Sequence, residues 1–320
     1  MNILDIKIKL AYFIIDLLIP LAIGYLLRGK QQLGEGFFDK MISYNILLLY
    51  PLLSILSFWV LTITWELMWL PVFGGLLCII PGLVAYLISK NKYDSPLDTG
   101  SYILSAMLSN VGTIGGLCAF ILYGETGFAY TQLVGLTQTA VLFLVCYPLA
   151  QYYYSKEQGT QGSKISIGTF LWNRNQLPVA GLIVGLMLYS LDIPRPAILG
   201  ELFNPLVHLA AWTALIPVGH VTDFSAIKKY YSSTFDLVPI KFIITPLFSY
   251  IIAKIVFNDP IMINTIVILA STPTAINAVI TVKIHNLNIH IATASFVVTT
   301  VLFLLVIYPI LFFCMMKGQN

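Results

Sequence analysis

A chain of 320 residues with 58% apolar and only 10% charged residues, and a mean hydropathy of +0.87, is not a soluble globule, in which roughly half the residues are apolar and about a quarter charged. The composition is that of a membrane protein crossing the bilayer several times. A net charge of +3, with no basic run and no aromatic platform, excludes nucleic acid as a partner.

A helix needs about 20 mostly apolar residues to cross a hydrocarbon core roughly 30 Å thick, and ten stretches approach that length. The first, Leu10 to Leu27, follows Lys7 and Lys9 as a secretory signal would, but lacks a small-residue cleavage pattern and reads as a span. Asp39 to Leu61, Leu67 to Ser89, Gly100 to Tyr123 and Thr131 to Gln151 complete a first set of five. The polar stretch SKEQGTQGSKISIGT, Ser155 to Thr169, is the only connection suited to separating two halves. The expected organisation is therefore a five-helix unit over 1–154, a cytoplasmic connecting loop over 155–169 and a second five-helix unit over 170–320. The second set comprises Leu171 to Leu191, Ile198 to Gly219, Phe235 to Phe257, Ile261 to Lys283 and Ile289 to Met315.

Five is odd, so the second half enters the bilayer from the opposite face and any repeat is inverted. LIPLAIGYLL in span one and QLPVAGLIVG in span six each place a proline, Pro20 or Pro178, before glycine. One set of alternate connections carries Arg28, Lys30, Lys40, Lys90, Lys92, Lys156, Lys164, Arg174, Lys228, Lys229, Lys241 and Lys283; the other carries Lys7, Lys9, Arg195, Lys254 and Lys317. The positive-inside bias predicts both termini outside the cytoplasm, in a multi-pass protein of the cytoplasmic membrane.

The fourth span of each half is interrupted. LSNVGTIGG, Leu108 to Gly116, breaks span four, because Gly112, Gly115 and Gly116 weaken a helix and Asn110 bonds its own backbone readily. ASTPT, Ala270 to Thr274, breaks span nine, because Pro273 lacks an N–H and clashes with the preceding turn, while Ser271, Thr272 and Thr274 can satisfy the freed groups. Each half-helix that resumes offers unpaired N–H groups and the positive end of a dipole, which suits an anion. Gly112 and Gly116 at four-residue spacing also suit close helix packing, and a lone proline also makes a simple kink. Paired breaks at matching places point instead to a substrate site in a carrier for a small organic anion. Asn277, one turn beyond Pro273, and Gln138 in span five are further lining candidates, with Gln132 and Ser54 behind them.

These same residues carry a family likeness. DKMISYNILLLYPLLSIL, SNVGTIGGLCAFILYGETG, HLAAWTALIPVGHVTD and above all ASTPTAINAVITVKIHNLNIHIATASFVVTTVLF make nearly the whole chain resemble the auxin efflux carrier family. The resemblance implies an all-α membrane protein of ten transmembrane helices in two inverted five-helix repeats, with broken, crossing helices four and nine and elevator-type alternating access. It also implies a carboxylate substrate, such as malate or an auxin-like acid. By motif, the helix-four Asn is Asn110, its glycines are Gly112 and Gly115, and the crossing proline of helix nine is Pro273. Many relatives have proline where this chain has Gly116.

Ionisable groups inside spans are costly and so are functional candidates. Asp16 and His208 could couple transport to protons, whereas Lys241 is read as extending its charge into the headgroups. Cys78, Cys118, Cys146 and Cys314 read as packing residues; no metal site and no cofactor is expected. A homodimer is neither required nor excluded. The competing readings are a sodium-coupled organic-anion symporter of the bile-acid type, disfavoured because no acidic residue adjoins either break, and an intramembrane enzyme, for which no His-Glu-x-x-His pair, phosphate loop or Asp-rich motif is present.

Overall fold

The computed structural model describes residues 3–28, 35–159, 177–222 and 227–317, and all regular structure among them is helical apart from one isolated β-bridge. Most of the connecting stretch 155–169 and the start of the sixth expected span lie outside the described residues.

Six helical stretches among the described residues are long and apolar enough to cross a bilayer: Gly36–Trp59, Trp65–Ser89, Val111–Gln158, Ala197–Val221, Leu237–Val256 and Ile289–Lys317. Six is fewer than the ten stretches read from the sequence, for physical reasons visible in the chain. The fourth and ninth spans are broken, leaving Pro96–Met107, Pro260–Ala270 and Ile276–Ile284 too short to span alone. The sixth is described only over Leu177–Ser190, and the first, helical over 3–26, is not among the six. Val111–Gln158, by contrast, is too long. At 48 residues it would measure roughly 70 Å as one rod, and it turns at Gly124, whose φ of 62° and ψ of −146° suit only glycine.

Prolines set a recurring local form. Widened helical turns over Ile14–Leu18, Asn45–Leu49, Leu142–Cys146, Ile240–Ile244 and Phe303–Ile307 each precede a proline, at Pro20, Pro51, Pro148, Pro246 and Pro309. The proline ring would strike the carbonyl one ordinary turn back, and a wider turn moves that carbonyl aside. The helices thereby bend without ending.

The side chains confirm the solvent implied by composition. Large apolar residues such as Ile255, Met68, Leu26 and Leu305 lie exposed all around the outside, an arrangement for lipid rather than water. Inside, glycines bring helices into backbone contact. A Cβ on Gly24 or Gly219 would lie 2.0 Å from Ile216 O or 2.2 Å from Leu21 O, and one on Gly181 2.4 Å from Pro51 O. So Ile19–Leu26 packs tightly on Phe203–Val221, and Leu177–Ser190 on Tyr50–Trp59. Apolar cores hold the other helices together, and two of them flank the broken helices. One gathers Tyr102, Leu104, Cys146, Ala278 and Ile291; the other gathers Phe73, Val111, Ala129, Ile266 and Leu269. The two broken helices run between them.

Candidate functional site

Pro96–Met107 and Pro260–Ala270 approach each other, stop and cross. At the crossing each backbone satisfies the other: Asn110 N donates to Pro273 O and Ala275 N donates to Leu108 O, both at 2.8 Å, flanking an antiparallel bridge between Ser109 and Thr274. These are the groups that an apolar interior cannot leave unpaired. Helix then resumes on both strands, through a widened turn over Val111–Gly115 into Gly116–Val141, and at Ile276–Ile284. Four half-helix ends meet here, two presenting N–H groups and two presenting carbonyls.

Side chains fasten the crossing. Thr274 Oγ1 donates to Ser105 O at 2.9 Å, and Thr274 N donates to Thr299 Oγ1 at 3.0 Å. Gln138 Nε2 donates to Ser109 O at 2.7 Å. Lys241 Nζ donates to Ser109 Oγ at 2.7 Å and reaches Leu108 O at 3.4 Å. This overturns the expectation that Lys241 extends to the headgroups: its side chain is 0% exposed, and it turns inward because the carbonyl end of Pro96–Met107 offers a cation the negative end of a dipole. No carboxylate lies within ion-pair distance of it among the described residues.

The expected site residues divide into two groups. Asn110, Gly115, Gly116, Ser271, Thr272 and Pro273 are buried together at or beside the crossing, and Gln138 reaches it. Asn110 Oδ1 accepts from Ile114 N at 3.4 Å, whereas its Nδ2 is buried with no hydrogen-bond partner among the described residues. The hydroxyls of Ser271 and Thr272 are used on their own helix, at Val267 O and Leu269 O. Gly115 packs against the second broken helix, since a Cβ there would lie 2.7 Å from Leu269 Cδ2 and 3.0 Å from Thr272 Cγ2. Gly112 is exposed and faces open space, and Asn277 is exposed on the first turn after the break, so neither joins the buried cluster. Among the described residues no side-chain hydrogen bond links Gln132 or Ser54 to the crossing, and Ser54 Oγ is buried with no partner among them. The sequence reading missed Ser109, Ser105 and Thr299, and named Thr274 only as a satisfier of the break. Ser109 stood in plain view inside the glycine-rich run, and Lys241 was visible as an intramembrane charge.

Asp16 and His208, distant in sequence, meet. His208 Nδ1 lies 2.6 Å from Asp16 Oδ2, and Trp212 Nε1 donates to Asp16 Oδ1 at 3.3 Å. Asp16 is fully buried in the widened turn before Pro20, and His208 lies against Tyr12 and Phe120. This group is separate from the crossing. Cys78, Cys118 and Cys146 are buried and unpaired as disulfides, and Cys314 is exposed.

Comparison with known proteins agrees with this architecture at a coarse level. Over 259 residues, 76% of this chain and 77% of the other, the sequence is 24% identical to an "uncharacterized transporter" of Methanocaldococcus jannaschii. Over 194 residues it is 24% identical to a "putative malonate transporter" of Rhizobium meliloti strain 1021, spanning 60% of each chain. Both relatives bear the name of transporter. No protein-family model matches the chain. The apolar helical bundle and these likenesses together describe an integral membrane protein similar to membrane transporters.

Proposed function

We propose that this chain is a secondary carrier for a small organic anion, a mono- or dicarboxylate of the malate or malonate kind, and that the anion binds at the crossing of the two broken helices. One observation carries the reading: a buried ammonium, Lys241, is bonded to Ser109 at the crossing with no carboxylate partner among the described residues, and the next residue, Asn110, at the start of a resumed half-helix, has a buried Nδ2 with no partner among them. An uncompensated charge in a membrane interior is costly, and a substrate carboxylate would relieve it. The name of the Rhizobium relative supports a dicarboxylate.

The wider frame belongs to the same proposal. Two inverted five-helix repeats, over 1–154 and 170–320, are supported by the exchanged packing of first and second spans, in which Gly24 and Gly181 each follow the aligned prolines and each seat on the other half. The crossing supports the resemblance to auxin efflux carriers and their elevator-type movement. With Lys241 already on the carbonyl of Leu108, a fixed cation stands where a coupling sodium would otherwise be attracted, which favours a sodium-independent carrier. The Asp16 and His208 pair favours protons as the coupling ion.

Transport of radiolabelled malonate and malate into sealed vesicles containing the purified protein tests the reading. We expect accumulation of one of these acids, unaffected by replacing sodium and responsive to an imposed pH gradient under clamped voltage, with that response lost in Asp16→Asn. Accumulation of no carboxylate, together with a flat thermal-shift response to a panel of acids, would remove the proposal. Flux indifferent to the pH gradient would remove only proton coupling.

A further inference from the structure

Away from the crossing, a cavity of about 630 Å³ opens on the flank of the bundle at its lysine-rich end, between Leu70–Ser89, Pro96–Met107 and Tyr147–Gln158. Its two ends differ in chemistry. At the rim stand Lys90, Lys156, Tyr86 and Tyr152; the deep part is lined by Ile79, Ile103, Met107 and Val145. Tyr152, Leu83 and Val145 are exposed on this flank, so in a bilayer the cavity opens toward lipid.

Length and charge identify the occupant. From Lys90 back to Ile79 the helix rises roughly 16 Å at 1.5 Å per residue, about half of a hydrocarbon core roughly 30 Å thick. The cavity therefore runs from headgroup level to the bilayer midplane, the extent of one leaflet. Neither Lys90 nor Lys156 makes an ion pair among the described residues, and the Lys90 ammonium rests 4.5 Å from the Tyr86 ring centroid. Lys92 beside them is held by Asp236. Asp94 also lines the cavity, whose own lining thus holds two cations and one carboxylate and carries one positive charge in excess; Glu157, next to Lys156, stands outside the lining and accepts from Ser95 Oγ at 3.4 Å. One monoanionic headgroup neutralises that charge, whereas a zwitterionic headgroup does not. Basic pockets between helices at the cytoplasmic side of membrane proteins recognise lipid headgroups in this way.

We propose that this cavity holds one anionic phospholipid, its phosphate between Lys90 and Lys156 and one acyl chain along Ile79, Ile103, Met107 and Val145. The floor matters for the crossing. Met107 is the last residue of the helix that enters it, directly before Leu108, and it packs on Gly82, where a Cβ would lie 2.6 Å from Met107 Cγ. A chain seated here presses on the residue that positions the Leu108 carbonyl.

The test is retention of lipid by the purified full-length protein in native mass spectrometry, with phosphatidylglycerol and phosphatidylcholine competing at equal amounts. No transport is measured, so the result stands apart from the carrier proposal. We expect phosphatidylglycerol to be retained preferentially, with the preference falling about fivefold in Lys90→Gln and about thirtyfold when Lys156→Gln is added. Val145→Trp, which fills the deep part from an exposed position, should displace the lipid while leaving both lysines in place. Thermal midpoints in phosphatidylcholine alone identify any variant that has not folded. Equal retention of the two lipids, or a preference unmoved by the lysine substitutions, overturns the proposal. A preference that depends on the lysines but survives Val145→Trp overturns the seated chain and leaves surface attraction only.

Discussion

Lys241 concentrates the chemistry of the crossing in one side chain. Its ammonium is enclosed, bonded to a hydroxyl and a carbonyl that both belong to the first broken helix, and faces no carboxylate among the described residues. Replacing a buried charge by an apolar side chain of similar length is often neutral or stabilising, so Lys241→Met should unfold at or above the native temperature. It should also lose carboxylate binding by roughly ten- to a hundredfold, the worth of one hydrogen bond to a charged group. Thermal unfolding with and without malonate separates the two effects; undiminished binding in Lys241→Met would place the anion elsewhere. The glycines sort by the space around them. Gly115→Ala forces a methyl against Leu269 and Thr272 and should cost about 1–3 kcal/mol. Gly116→Ala, in helical geometry with its nearest neighbour at 3.4 Å, should gain about 0.4–1 kcal/mol by restricting the unfolded chain. Gly112 meets nothing within 4 Å, so a transport defect in Gly112→Ala cannot come from a clash in this arrangement. Unfolding temperatures of the three variants check this order.

At the scale of elements, the breaks are stabilised by each other rather than by their own helices. Asn110 N and Ala275 N are donors that a continuous helix would have used internally, and each finds its acceptor on the opposite strand. Thr274 ties this pair to Ser105 and Thr299. Thr274→Val leaves Ser105 O without this donor and should cost about 1–3 kcal/mol. It should also raise hydrogen exchange at Asn110 and Ala275 together; exchange that rises at only one of them would show that the two breaks open separately. The existence and positions of the breaks were legible in the sequence because glycine, proline and asparagine act on the backbone locally. What crossed what was not legible, since the pairing of Leu108 with Ala275 depends on how the two helices meet in space. The same limit explains Lys241. Its place six residues into the span Phe235 to Phe257 suggested a headgroup, and only the neighbouring carbonyl end makes an inward rotamer favourable. Asp16 and His208 were recognisable as costly groups, while their contact rests on the tight glycine packing of Ile19–Leu26 against Phe203–Val221. Ten apolar stretches were countable, but short half-helices do not qualify as spans on length alone.

For the whole molecule, the proposed mechanism divides the helices into a frame and a moving part. The frame would be the glycine-packed first, second, sixth and seventh spans, and the moving part the helices around the crossing. Few polar contacts join the two groups among the described residues. Arg195, after Leu177–Ser190, pairs with Glu125 next to the Gly124 turn, and Lys9 donates to Leu122 O at 3.0 Å. Contacts within the moving part are of another kind: Lys92 pairs with Asp236, and Asn288 donates to Asp98. An elevator must break the first set in every cycle and keep the second. With the four native cysteines replaced by serine or alanine in a background that retains transport, Arg195→Cys with Glu125→Cys joined by a short thiol cross-linker should arrest transport, and cleavage of the linker should restore it. Lys92→Cys with Asp236→Cys, joined in the same way, should leave a carrier that still turns over. Transport that continues with residues 195 and 125 joined would mean that the two groups do not move past one another at this end, and an arrest at 92 and 236 would place the moving boundary inside the crossing bundle instead.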